Sequence, residues 1–240
     1  MLLALWSPKG GSGTSVLAAA CALVLARGPN GAPCGARLAD LDGDQPAIFG
    51  MATDPPTGLV DWIAAGPEAP TEALDRLAVE AAPGVALLPR GGSDRVLAPL
   101  PAAEAGAALA VALRDAPVVT VVDCADAAEP ATRAVVEVAD VSVVVVRGCY
   151  LALRRAVHAS ALARTRAAVL VEEQGRTLSE REVADVLGLP VFARVPVRGQ
   201  VARAVDAGVL ASRLPDPLAR PAADLLHRVG ALPLRRGAAA

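Results

Sequence analysis

Apolar residues in this chain fall into two alternating patterns. Short continuous runs rich in Val, Leu and Ala occupy 2–6, 36–41, 85–89, 118–123, 141–147, 168–171 and 191–195. Runs of this length predict buried strands, and unbroken apolar strands predict a parallel sheet covered on both faces. Between them lie segments in which apolar and polar residues recur with a helical period: 15–27, 58–65, 71–81, 102–114, 129–139, 151–165, 179–187, 200–207 and 217–229. Ser179 followed by Glu182 is the signature of a capped helix start. Strand and helix alternate throughout with no internal repeat and no long linker. The predicted fold is therefore α/β, three-layered, with a mostly parallel central sheet and helices on both faces. One domain is expected over 1–232, followed by a disordered tail over 233–240.

The junction of the first strand and first helix reads Ser7-Pro8-Lys9-Gly10-Gly11-Ser12-Gly13-Thr14-Ser15. Lys9 is the single lysine among 23 basic residues; the rest are arginine. An ammonium is a compact, rotatable point charge, and it fits between phosphate oxygens where a planar guanidinium does not. A glycine-rich turn between strand and helix aims backbone amides and the helix N-terminus at an anion. Ser15 stands where a P-loop hydroxyl ligates Mg²⁺. The ordinary pattern G-x-x-x-x-G-K-[ST] would need glycine at Pro8 and lysine at Thr14, and has neither. Two other readings are a turn without a ligand and a dinucleotide site. The dinucleotide pattern fails at Val16, where its last glycine belongs, and Asp40 and Asp42 come too late for its ribose contact.

Two later segments add carboxylates. The strand 118–123 ends in Asp123, and an apolar strand ending in Asp beside such a loop is a Walker B pattern that holds Mg²⁺. Asp40 and Asp42 follow the second strand. Further on, Val195-Pro196-Val197-Arg198 leads into a helix ending near Gly208. His158 and His227 stand without a paired nucleophile and are given no catalytic role. Arg154, Arg155, Arg164 and Arg166 line the segment 151–165 and its end; a solvated helix face is the plain reading, a partner or DNA surface the other.

Lys9-Gly10-Gly11-Ser12-Gly13-Thr14-Ser15 resembles the deviant Walker A loop K-G-G-x-G-K-[ST] of the MinD/ParA superfamily, missing only the second lysine. The CpaE/TadZ branch, associated with pilus assembly, reads similarly at this point. The loop, the D-x-D of Asp40 and Asp42, the Walker B strand and the I-P-x-D-like segment at Val195–Arg198 come in the superfamily's order over residues 2–210. The resemblance implies a P-loop fold binding ATP with Mg²⁺. It implies that Lys9, Gly10, Gly11, Ser12, Gly13, Thr14 and Ser15 hold phosphates, and that Pro196 and Arg198 lie near the base. It also implies that Ser15, Asp42 and Asp123 serve the metal. Lys9 and Asp42 are implied as catalytic, Lys9 by reaching the nucleotide of a partner subunit and Asp42 by orienting the attacking water. A homodimer closed around ATP is implied, with ADP after turnover, read by a protein partner of a septum, pilus or chromosome positioning system. The sequence departs from the superfamily at Thr14, at Arg198 in place of an acidic residue, and at Asp126-Ala127-Ala128 where a proline or glycine is usual. Slow or absent hydrolysis is expected from Thr14. The alternatives are an ATPase cycling on DNA or membrane, and a nucleotide-free scaffold.

Composition narrows the partners. The net charge is −2, and the chain is 54% hydrophobic with 2% aromatics. Such a charge does not support specific nucleic-acid binding, and the last helix lacks the basic amphipathic end that MinD proteins use on membranes. Cys21, Cys34, Cys124 and Cys149 have no C-x-x-C pairing and are expected as buried free thiols. The longest apolar run, 16–26, is too short to span a bilayer. A cytoplasmic location is expected, with recruitment to pole, septum or inner membrane left to a partner.

Overall fold

Strand β1 (Leu2–Trp6) sends alternate residues into two separate cores: Leu2, Ala4 and Trp6 to one face of the sheet, Leu3 and Leu5 to the other. All five are fully buried, which requires helices on both sides. A computed structural model describes residues 1–28, 34–92 and 99–232; the tail expected over 233–240 lies outside them. The remaining strands are β2 (Ala36–Asp40), β3 (Val79–Ala82), β4 (Val85–Leu88), β5 (Val119–Asp123), β6 (Val141–Arg147), β7 (Thr165–Glu172) and β8 (Val191–Pro196). They form one sheet in the order β3-β4-β2-β5-β1-β6-β7-β8. Every pairing is parallel except that of β3 with β4. The α/β fold with a mostly parallel sheet and helices on both faces is thus the one the apolar runs predict.

Helix α1 (Thr14–Arg27) runs on one face with α2 (Gln45–Ile48), α9 (Gly199–Asp206) and α10 (Asp216–Arg228). The opposite face carries α3 (Leu59–Ala64), α4 (Glu72–Leu77), α5 (Pro99–Arg114), α6 (Pro130–Val138), α7 (Tyr150–His158) and α8 (Glu180–Leu187). α1 is buried around almost its whole circumference, because it is packed against both the sheet and α10. A helix enclosed in this way has no polar face. That accounts for Ala18, Ala19, Ala20, Cys21 and Ala22, small residues that let neighbours approach.

The same economy appears where α5 meets α6. A Cβ on Gly106 would lie 2.4 Å from the carbonyl oxygen of Ala131 and 2.6 Å from its Cα. Alanine is better than glycine in a helix by about 1 kcal/mol. Overpacking a backbone contact costs about 1–3 kcal/mol, and here the obstacle is main chain that cannot swing away. Gly106→Ala is therefore expected to lower the urea midpoint despite its better propensity; an unchanged or raised midpoint would show that α6 slides freely.

Three elements differ from expectation. The helix predicted over 71–81 stops at Leu77, because Ala78 turns to extended backbone and the chain enters β3. β3 and β4 make a hairpin across Pro83-Gly84, with Gly84 at φ 78°. The helix predicted over 151–165 ends at His158 and is followed by a 3-10 turn, Ser160–Arg164. α2 was not expected at all. Cys21 and Cys124 are buried thiols as expected, whereas Cys34 is exposed and Cys149 half-buried. The capping box at Ser179 is present, its hydroxyl accepting from the Glu182 amide at 3.3 Å. No helix among the described residues is long and apolar enough to cross a membrane.

Candidate functional site

β1 lies between β5 and β6, so the chain leaves β1 toward one side of the sheet and later returns to the other. In open parallel sheets such a reversal opens a crevice at the C-terminal strand ends. The loop Ser7–Gly13 fills that position. Gly11 and Gly13 have φ of 75° and 84°, a region costly for side-chain-bearing residues. Ser7 and Ser12 both donate their hydroxyls to the Lys9 carbonyl, at 3.0 and 2.8 Å, which closes the loop on itself. A Cβ on Gly10, Gly11 or Gly13 would meet nothing within 4 Å. Packing therefore does not explain the glycines; they leave space open in front of the loop. Gly13 caps α1 without a side-chain bond, and the first turn holds no acid. The amides of that turn have no intrahelical acceptor by construction, and no side chain takes them, so they stand open to water or an anion.

The acidic side is built from the exits of β2 and β5, which are neighbours, with Asp40 opposite Asp123. Asp40 is fully buried and accepts from the amides of Asp42 (3.1 Å), Gly43 (2.7 Å) and Gln45 (3.1 Å). It is thus the residue that shapes the turn carrying Asp42. Gln45, at the start of α2, is also fully buried. Its amide donates to the Ser15 carbonyl (3.0 Å) and to Asp123 Oδ2 (2.9 Å), tying α1, α2 and β5 together. Ser15 donates its hydroxyl to Asp42 Oδ2 at 3.2 Å and also lies against Asp123. Ser15 and Gln45 give these two carboxylates only neutral donors. Burial pushes the Asp123 carboxyl up to about 6, against the hydrogen bonds from Gln45 and Ser15. Burial and the nearby Asp123 push Asp40 up to about 7. Asp42 is raised too, by burial first and Asp44 second.

A cavity of about 970 Å³ lies in front of the loop. Gly10, Gly11, Ser12, Gly13, Thr14, Ser15 and Asp42 line it, and Asp123 stands just behind through Cys124 and Gln45. Its size is that of a site for a ligand as large as a nucleotide. Sequence reasoning missed Gln45, Arg90 and Arg147; the last two also line the cavity. Arg90 was legible only as a charge after a strand, and Arg147 only as the end of one. Pro196 and Arg198 are not brought to this cavity; Pro196 borders a shallower one with Asp216 and Arg220. Lys9 is half-buried at the side of the loop, near Glu173 rather than on the cavity wall.

Ser15, Asp42 and Asp123 fit Mg²⁺, which takes one or two carboxylates and completes its shell with water and phosphate oxygens. Among the described residues there is no ready-made cage of three or more His, Cys, Asp or Glu, as an all-protein calcium or zinc site would need. After Asp123 the backbone is strained: Ala125 and Ala127 have φ of 48° and 53°. Such conformations cost about 1–3 kcal/mol each and concentrate at functional segments. Ser7 clamps this turn by donating its amide to the Ala125 carbonyl at 2.8 Å.

Comparison with protein-family models finds no match, and comparison with curated protein sequences finds none. Solved structures do match over almost the whole chain. MinD of Aquifex aeolicus superposes with a TM-score of 0.76 at 18% identity, covering 97% of this chain and 98% of that one. A ParA family ATPase of Chlorobium tepidum gives 0.75 at 19%, covering 93% and 96%. The septum site-determining protein MinD of Pyrococcus horikoshii, complexed with Mg-ADP, gives 0.75 at 17%, covering 95% of each chain. The fold is that of the MinD and ParA ATPases. At such identities the likeness fixes topology, and the local chemistry is carried by the residues described above.

Proposed function

We propose that this chain is a MinD/ParA-like regulator of position that binds Mg-ATP, dimerises on doing so, and hydrolyses it slowly or not at all. The observation that carries this reading is the uncapped start of α1, facing a nucleotide-sized cavity with Ser15 and Asp42 on its wall and Asp123 behind. Amides of Gly10–Ser15 bind the phosphates. Ser15, Asp42 and Asp123 hold magnesium, which supplies positive charge against the phosphate oxygens. Asp42, turned into the cavity, orients water for attack. Lys9 stands off the wall of its own cavity, and in this reading it serves the nucleotide of the second subunit. Ligand and dimer are then linked, because ATP favours the state that binds it better. Pro196, the last residue of β8, and Arg198 just after it are assigned to the base, which requires the end of β8 and the segment after it to move toward the cavity on binding. The state read by the partner is the dimer; the CpaE/TadZ branch, with pilus assembly as the process, is the finer assignment that the Thr14 loop favours.

The experiment is Mg-ATP titration by calorimetry with light scattering, on the wild type and Lys9→Ala. Binding with dimerisation is expected, and Lys9→Ala should weaken both, the affinity by about 10- to 100-fold for a lost charge-assisted contact. Absence of binding at millimolar ATP would sink the proposal and leave a scaffold. Binding without dimerisation would sink the switch alone.

A further inference from the structure

The loop lacks a cation at Thr14, and the lining of the cavity makes that lack costly. Asp42, Asp44, Asp126, Glu129 and Asp206 face it against Arg90 and Arg147 alone among the described residues. A polyphosphate brings further negative charge. Arg90 is committed elsewhere: its Nε donates to the Leu41 carbonyl at 3.2 Å, and its NH2 stands 3.6 Å from Glu129. It braces the exits of β2 and β4 over Asp42.

Arg147 is placed differently. It is the last residue of β6, which pairs with β1 in the register Trp6 opposite Val144. It therefore leaves the sheet at the same end as the loop and lines the same cavity as Gly10–Ser15. Its NH1 donates to Glu173 Oε1 at 2.7 Å, while Arg176 holds the other oxygen of Glu173 at 2.9 Å. That carboxyl sits below its usual range, through the Arg176 bond first and with contributions from Arg147 and Lys9. So Glu173 is anchored by Arg176 and can release Arg147 without being stranded. The Arg147 Nε is buried and has no hydrogen-bond partner. A buried guanidinium donor without an acceptor is costly unless something else completes it. With 35% of the side chain exposed, the ion pair itself does little for stability.

We infer that Arg147 is the phosphate-binding cation of this site, supplying from the end of β6 the charge that the loop lacks at Thr14. The inference rests on the nucleotide reading above and names the residue that makes that reading work. From the cavity wall a planar fork can grip two phosphate oxygens, which suits arginine where a loop position between phosphates would suit lysine.

The test is calorimetry on the full chain with Mg-ATP, Mg-tripolyphosphate and AMP. Arg147→Ala should weaken ATP and tripolyphosphate by about 10- to 100-fold while leaving AMP nearly unchanged. Arg147→Lys should recover part of the loss, and adding Thr14→Lys to Arg147→Ala should recover more. Thermal unfolding of Arg147→Ala should coincide with the wild type. If wild type binds ATP and Arg147→Ala binds ATP and tripolyphosphate equally well, the inference is wrong and the nucleotide reading stands. Equal losses for ATP and AMP would also overturn it, by moving the effect away from the phosphates. If the wild type binds neither ATP nor tripolyphosphate, both readings fall together.

Discussion

Raising the pH from 5 to 8 is expected to destabilise the ligand-free protein and, over the same range, to strengthen its hold on Mg-ATP. The first effect comes from Asp40 and Asp123, and the second from Asp123, the one of the two assigned to the metal. Burial is the first cause in each case, and it pushes Asp40 up to about 7 and Asp123 to about 6. In the unfolded chain both return to an ordinary carboxylate value near 4. Between that value and about 6 to 7 the folded state holds more protons than the unfolded one. Stability then falls as the pH rises, by at most about 1.4 kcal/mol per pH unit for each group. Below pH 4 the contribution is fully present, and above the folded values it is lost. A divalent cation reverses the sign, because it favours the deprotonated carboxylate. Urea unfolding at pH 5, 6, 7 and 8, with and without Mg-ATP, reads both effects. The ligand-free midpoint should drop, and the increment from Mg-ATP should grow. A ligand-free stability that is flat or rising across this window would mean that Asp40 and Asp123 are ionised in the fold, with water or a cation reaching them.

The sequence carried the loop and the strands more clearly than the parts that join them. Unbroken runs such as 141–147 announce a buried strand because both faces of a parallel sheet are covered, and Val141–Arg147 is a strand to the residue. The loop was legible because its glycines and single lysine have few other uses, and Ser15, Asp42 and Asp123 do come together around it. Gln45 was not legible. Its role depends on a turn shaped by three amides on Asp40, and nothing in the local pattern marks a glutamine as buried. Arg147 was hidden for a similar reason: it reads as the polar end of an apolar strand until the strand order puts it beside the loop. β3 was missed through a competition of signals. Glu72–Leu77 has a helical pattern that runs without a break into Val79, and the Pro83-Gly84 turn that signals the hairpin comes after the strand it creates. Pro196 and Arg198 were carried by resemblance alone, and it is this assignment that the arrangement around the cavity does not reproduce.

Thr14→Lys is expected to raise ATP turnover by about 100- to 1,000-fold, the size of effect seen when one transition-state donor is gained or lost. Thr14 is 5% exposed, lines the cavity and has an Oγ1 with no partner. The native hydroxyl is thus a small liability, and a lysine stem leaving this position has the cavity to enter. Ground-state affinity should rise by less, about 10- to 100-fold, since charge grows on the phosphoryl group only as the bond breaks. Thr14→Val is the control: it removes the orphaned hydroxyl at constant shape, so it should raise stability slightly and leave turnover where it was. Phosphate release measured on the three proteins at saturating Mg-ATP separates the cases. Tighter binding by Thr14→Lys with no faster release would place the block after the loop, in the turn from Cys124 to Ala128. There Ala125 and Ala127 already occupy left-handed backbone that a glycine would adopt at little cost. If this turn has to move during hydrolysis, it starts from strain and is clamped by Ser7. The next substitution would then be Ala127→Gly, which should restore turnover in the Thr14→Lys background if backbone freedom, and not charge, sets the limit.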